Sequence, residues 1–260
     1  MTTSIPSAGE LNVELVRDCA VITVNRPQKL NALTQGMRRE LVAQINRLGD
    51  GTQVRGIVLT GAGRAFSAGE DLTATLASHD GDVLDAVETF HAITRAILAT
   101  EVPVIAAVNG LAVGGASEVT MCCDSRVGTP NTEYFMPENQ IGLTISNASS
   151  ILLRRLVGNH APRIVMESRR MDADEALRVG LLDEIVPADG LIEHCLDLIH
   201  RWNRPGSATP LHLKLLRPTP EEIEAAIARE NDAASAAYEQ GVIAEGIERF
   251  WRAKGADQPR

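Results

Sequence analysis

Five things are missing from this sequence, and each removes a class of function. No apolar run is long enough for a membrane span: the longest, residues 102–116, falls short of the roughly 20 residues required and is broken by Pro103, Asn109 and several glycines. No transmembrane helix is expected. The opening MTTSIPSAGE has neither the basic start nor the apolar stretch of a secretion signal, so the chain is expected to stay in the cytoplasm. Positive charge is not in excess either. A formal net charge of −9 opposes nonspecific nucleic-acid binding, and any polyanionic ligand would have to meet a few specific Lys and Arg side chains. Metal-ligand spacing is also absent. Cys19, Cys122, Cys123 and Cys195 sit among apolar neighbours, and six histidines are scattered, which predicts buried reduced thiols and no metal site. No dinucleotide-binding fingerprint with its acidic partner is present, so no redox cofactor is expected.

What is there is an ordinary globular composition. With 260 residues, 44% of them hydrophobic, the chain can bury a full core in one domain with a helical appendage. Residues 11–17 and 20–25 read as two strands around a turn at Asp18. Met37, Leu41, Ile45 and Leu48 recur at helical spacing, with Thr34 as N-cap and Gly49 as stop. Residues 54–60 and 102–108 read as strands, and residues 83–98 as a helix. Strands and helices therefore alternate, which predicts an α/β fold. Beyond Leu152 the pattern turns helical, with a capping-box pattern at residues 172–175 and a stronger one at Thr219, where Pro220 takes the first helical position. A boundary near Gly190 separates a core, residues 1–190, from a helical region, residues 191–260. The apolar residues Ile223, Ile227, Tyr238, Ile247 and Phe250 of that region need a surface to pack on, and a partner subunit would supply one.

Three segments carry residues fit for chemistry. Residues 61–72, GAGRAFSAGEDL, follow a predicted strand and end in acidic residues suited to the first turn of a helix. Such a junction exposes N–H groups that can bind an oxyanion, although a plain connecting loop reads the same way. Residues 108–123, VNGLAVGGASEVTMCC, repeat the arrangement. Gly114 and Gly115 permit close backbone approach, so a second N–H could converge with one from the first loop. Glu118 lies on an apolar helix face, where a carboxylate is either a hydrogen-bonded structural residue or a tuned proton-transfer group. Residues 134–142, YFMPENQIG, place Glu138 after a proline; spacing does not distinguish a solvated turn from a second active carboxylate.

Taken together, NRPQKLNAL from Asn25, FSAGEDL from Phe66, NGLAVGGASE from Asn109 and MPENQIGL from Met136 resemble the crotonase (enoyl-CoA hydratase/isomerase) family in order and spacing. ADEALRVGLLDEIVP from Ala173 extends the likeness over nearly the whole chain. The resemblance implies an α/β spiral of repeated ββα units, with a C-terminal helical region used in trimerisation and a homotrimer or homohexamer as the assembly. It implies an acyl-CoA thioester substrate, with coenzyme A arriving as part of that substrate and no separate cofactor. The oxyanion-hole N–H groups would be those of Glu70 and Gly115, a contribution typically worth ~3–4 kcal/mol per donor. CoA would run past Arg26, Lys29, Leu30, Ala32, Ala68, Asp71, Leu72 and Gly114, with Arg26 and Lys29 near its phosphates and Phe250 and Lys254 reaching a neighbouring subunit's CoA.

Glu118 and Glu138 match the family's hydratase pair. One carboxylate would take a proton from water while the other, protonated, supplies one to Cα, giving a 3-hydroxyacyl-CoA from a 2-trans-enoyl-CoA. Two close carboxyl groups push each other's pKa apart, which is what such a division needs. A Δ3,Δ2-enoyl-CoA isomerase, which can work with one glutamate, is the nearest alternative. A catalytically silent CoA-binding scaffold is a further one, although burying two acids has no purpose there. The chain departs from the family pattern at residues 141–150, IGLTISNASS, where relatives are rich in glycine and proline. The serines and asparagine there imply a polar, branched or unusual acyl group, and they occupy the segment where a dehalogenase relative would carry its nucleophilic aspartate. Glu70 stands where a small or apolar residue is common, so its side chain either turns away at a helix N-terminus or adds a third acid.

Overall fold

The computed structural model describes residues 2–5, 10–71 and 82–253. Eleven strands among these residues form two sheets: β1 (Thr2–Ile5), β2 (Leu11–Val16), β3 (Cys19–Val24), β4 (Ile57–Gly61), β5 (Ala65–Ser67), β6 (Val104–Val108), β7 (Leu111–Val113), β8 (Ser125–Gly128), β9 (Glu133–Phe135), β10 (Arg170–Asp172) and β11 (Glu184–Ile185). The larger sheet has the order β1-β2-β3-β4-β6-β8-β11, and the smaller has the order β10-β9-β7-β5. From β3 to β11 the large sheet is parallel, whereas β1, β2 and β3 pair antiparallel. Successive pairs β4/β5, β6/β7 and β8/β9 each send their first strand to the large sheet and their second to the small one. That repeat generates the spiral of ββα units that the motifs imply.

The composition of the strands explains their place. β6, VIAAV, is buried on both faces, as expected for a parallel strand covered by helices on either side. Val104, Ala106 and Val108 face a core shared with Met37, Leu41 and Ile45 of the helix Gln35–Leu48 and with Phe90, Ile93 and Ile97 of the helix Asp82–Ala99. Ile105 and Ala107 face the opposite cluster, built with Cys195, Leu196 and Ile199 of the helix Leu191–Trp202. The first helix past Gly190 thus covers the main sheet. Ile223 and Ile227 of the helix Pro220–Glu239 also enter this chain's own core, while Tyr238 stays 64% exposed.

Local signals act as their chemistry dictates. The β2–β3 turn uses Arg17 and Asp18 with φ of 52° and 62°, the paired left-handed conformation of the tight hairpin turn. Thr34 accepts the Met37 N–H at 3.2 Å, and Thr219 forms a reciprocal capping box with Glu222, each such cap contributing about 1 kcal/mol. At residues 172–175 the Asp172 carboxylate accepts the Glu175 N–H at 2.9 Å. Two features carry no signal in the sequence. The two glycine junctions, the first of which reads equally as a plain connecting loop, also contain the short strands β5 and β7, three residues each, too brief for a hydrophobic period to show. β1 was not expected either; its Thr- and Ser-rich sequence earns its place only by pairing with β2.

Candidate active site

Two strand-to-loop junctions meet at this site. In the first, Gly69 has φ +82°, and a Cβ there would lie 2.5 Å from the Val113 carbonyl oxygen and 3.7 Å from the Gly115 nitrogen. Only glycine lets residues 68–70 lie against the second junction. Leu33 donates its N–H to the Gly69 carbonyl at 2.7 Å and accepts the Asp71 N–H at 3.2 Å. This parallel bridge turns the N–H of Glu70 to the side away from Leu33. No helix begins at Glu70 or Asp71: Glu70 lies in the bridge to Leu33 and Asp71 in irregular backbone, and residues 72–81 lie outside the described residues. In the second junction Gly114 adopts φ 55°, ψ −128°, a conformation essentially restricted to glycine. The helix Gly115–Met121 starts directly after it, so the Gly115 N–H has no intrahelical acceptor.

A buried cation links the junctions. Arg38 lies 3.6 Å from the Glu70 carboxylate, stacks 4.3 Å from the centre of the Phe90 ring, and donates to Thr89 Oγ1 at 2.6 Å. Phe90 in turn packs on Gly115, where a Cβ would come within 2.8 Å of its ring. Burial pulls the Arg38 guanidinium down from its ordinary value, and Glu70 holds it up. The Glu70 side chain is therefore occupied by an arginine. The sequence carried a signal for Arg38 that went unread: it stands three residues before Leu41 and seven before Ile45, on the apolar stripe of its helix.

Glu118 and Glu138 are 1% and 7% exposed. Glu118 sits on the Gly115–Met121 helix and receives three donors: the Ser146 N–H at 2.8 Å on Oε1, and the Ser146 hydroxyl at 2.6 Å and Asn147 Nδ2 at 3.0 Å on Oε2. Glu138 opens the 3-10 turn Glu138–Ile141. Its Oε1 would lie 3.0 Å from a Cβ at Gly114, and its buried Oε2 has no hydrogen-bond partner among the described residues. The helix Val242–Ala253 packs onto this turn, with a Cβ at Gly246 coming within 2.2 Å of the Ile141 carbonyl oxygen. Burial first, and Glu138 second, push Glu118 well above the usual carboxylate range, with Ser146 pulling it back. Burial pushes Glu138 up to about 7. The pair accordingly holds at least one proton near neutrality. The three donors favour the ionised form of Glu118, whereas no described residue donates to Glu138 Oε2.

The other expected residues gather beside the first junction. Ala68 donates its N–H to the Leu30 carbonyl at 2.8 Å, and Arg26 donates to Asp71 at 2.5 Å and to the Ala32 carbonyl at 3.3 Å. Arg26 also meets Glu10 at 3.3 Å, so its charge is already paired, while Lys29 is exposed. Asn31, not singled out from the sequence, ties these turns together by donating to the Ala62 and Ala65 carbonyls at 2.9 and 2.7 Å. Leu72, Lys254 and the side chain of Phe250 lie outside the described residues. All four cysteines are buried and free, and burial raises Cys19 to about 11 and Cys122 and Cys195 to about 12. No described helix is long and apolar enough to cross a membrane.

A short-chain-enoyl-CoA hydratase of Clostridium acetobutylicum is 32% identical over 226 residues, covering 82% of this chain and 84% of that protein. An enoyl-CoA hydratase/isomerase structure from Pseudoalteromonas atlantica superposes with a TM-score of 0.84 at 27% identity, over 94% of this chain and 98% of that one. A monofunctional enoyl-CoA isomerase structure from M. smegmatis gives 0.67 at 30% identity, over 83% and 98%. The family profile described as enoyl-CoA hydratase/isomerase matches residues 16–256, and with that span of likeness the chain belongs to the enoyl-CoA hydratase/isomerase family.

Proposed function

We propose that this protein is an enoyl-CoA hydratase, adding water across the 2,3 double bond of an enoyl-CoA thioester. The observation that carries the reading is the pair of buried carboxyls in unequal surroundings, next to two converging junctions. The thioester oxygen would accept the N–H groups of Glu70 and Gly115, and negative charge would move onto it as the enolate forms. Ionised Glu118 would take a proton from water as the water oxygen bonds to Cβ, and protonated Glu138 would give its proton to Cα. One turnover thus leaves the proton on Glu118 and the charge on Glu138. A proton passing back between them resets the site.

CoA would lie along Lys29, Leu30, Ala32, Ala68 and Asp71, beside Gly114, with Lys29 meeting a phosphate because Arg26 is engaged by Asp71 and Glu10. CoA would come as part of the substrate, with no further cofactor. A homotrimer or homohexamer is supported by the helix Thr209–Leu216, which exposes 63% of Leu211 and 79% of both Leu215 and Leu216. Trp202, Leu213 and Leu216 also line a cavity of about 500 Å³ suited to an apolar partner side chain. The helix Thr209–Leu216 would then serve assembly. A cytoplasmic location fits the free, buried thiols.

The test is turnover of 2-enoyl-CoA and 3-enoyl-CoA thioesters of graded length and branching by the wild type and by Glu138→Gln. Hydration by the wild type that disappears in the variant is the expected result. Isomerisation that survives in the variant would mean Glu118 works alone, and would replace the hydratase reading with an isomerase.

A further inference from the structure

We propose that Ser146 and Asn147 are positioning residues that hold Glu118 as the ionised partner and let it accept and release a proton without moving. Which proton Glu118 moves rests on the hydratase reading; the hydrogen-bond arrangement does not.

The argument begins with the donors. Backbone and carboxamide N–H groups can only donate, so the Ser146 N–H and Asn147 Nδ2 oblige each Glu118 oxygen to accept. The Ser146 hydroxyl, 2.6 Å from Oε2, is different: it donates to the carboxylate and, after a rotation about its C–O bond, accepts from the carboxylic acid. Both protonation states of Glu118 therefore keep all three contacts. A glycine or alanine at position 146 provides only the backbone donor.

The orientation of Asn147 is fixed from behind. Thr94 donates its hydroxyl to Asn147 Oδ1 at 3.0 Å and receives the Cys122 thiol at 3.4 Å, which leaves Nδ2 facing Glu118. The Asn147 N–H donates to His91 Nδ1 at 3.3 Å, so the His91 proton resides on Nε2, which donates to Asn231 Oδ1 at 3.0 Å. Ala148 and Ser150 both donate their N–H groups to the buried Glu230 carboxylate at 2.8 Å, and Ser149 donates to the Ser146 carbonyl at 2.8 Å. Five successive N–H groups are thus assigned, four of them to side chains from other helices. Left-handed backbone at Asn147 and Ala148, with φ of 60° and 57°, fans them apart. This arrangement has a steric cost for non-glycine residues, and the polar segment retains it to aim donors. The titratable groups around Glu118 are Glu138 on the 3-10 turn, Glu230 on the Pro220–Glu239 helix, His91 behind Asn147, and Cys122 on its own helix.

The test uses Ser146→Ala, which removes only the hydroxyl, and Asn147→Gly, which removes Nδ2 at a position whose φ glycine accepts without strain. Two readouts are taken: kcat and KM against pH with the best enoyl-CoA, and titration of the Glu118 carboxyl in the free protein by infrared difference spectroscopy, assigned with Glu118→Gln. Each variant is expected to lower kcat about ten- to hundredfold with KM nearly unchanged, the scale of one hydrogen bond to a charged group. The Glu118 titration should move upward by about one pH unit or more, since each lost donor favoured the ionised form. Ser146→Thr, which keeps the hydroxyl, should restore both. A folded Ser146→Ala or Asn147→Gly with wild-type Glu118 titration would overturn the proposal. If the wild type neither hydrates nor isomerises any thioester, the functional reading fails while the infrared titration still decides this one.

Discussion

Glu118 and Glu138 are the same side chain in two different surroundings. Glu118 lies on a helix, with three donors converging on its oxygens. Glu138 lies on a 3-10 turn wedged between Gly114 and the helix Val242–Ala253, with one buried oxygen that has no partner among the described residues. Both are raised by burial, yet their neighbours differ, and the proposed mechanism uses that difference by giving the charge to one and the proton to the other. In a coupled pair, the role of each acid is set by what donates to it.

Substitutions at and around the two acids test that contrast. The largest effect is expected from Glu118→Gln and Glu138→Gln, each removing a proton-transfer group and lowering hydration about 10²- to 10⁴-fold. Combining them should cost far less than the product of the two, because the acids act as one unit. Steady-state assays of the two single variants and the double variant check this.

The next effect is on stability. Glu138 has its pKa raised from 4.5 to about 7 on folding, so its contribution to stability is present below pH 4.5 and is lost as the pH rises through about 7. Over that window the wild type should lose on the order of 3 kcal/mol at this site. Glu138→Gln should flatten the loss and be the more stable protein at pH 8, measured by urea unfolding at several pH values. The same titration should make kcat/KM fall above pH 7, as protonated Glu138 is depleted.

Gly114→Ala tests the contact that fixes Glu138. Its strained φ should destabilise the protein by about 1–2 kcal/mol, and its Cβ, 3.0 Å from Oε1, should lower kcat further than stability alone explains. Glu230→Gln is the mildest change, since the amide oxygen can still accept one of the two N–H groups. A loss of about 1 kcal/mol in thermal unfolding is expected.

How much of this was legible in the sequence depends on the range of the signal. The helix Gln35–Leu48, the hairpin and the Thr219 capping box follow from neighbours within a few residues. Glu118 and Glu138 were visible as acids in apolar settings, and the family resemblance selected them. Arg38 was legible in principle from its place on an apolar stripe. The functions of Ser146, His91 and Glu230 were not, because each depends on contacts to residues from 28 to 82 positions away. From the sequence, the polarity of Ser146 and Asn147 implies a polar, branched or unusual acyl group. Their hydrogen bonds to Glu118 support a different use of the same polarity, and Ala148 gives no local hint of its left-handed backbone.

The turn leading into the helix Ser149–Val157 belongs to no sheet ladder, yet each of its N–H groups from Ser146 to Ser150 is bonded inside the protein. Amide hydrogens in irregular backbone normally exchange with solvent quickly, and those at the start of a helix do so as well. Here their release requires Glu118, His91 and Glu230 to part from the turn together, which amounts to opening the core. Deuterium should therefore enter residues 146–150 as slowly as it enters β6, a segment irregular in shape but as rigid as a strand.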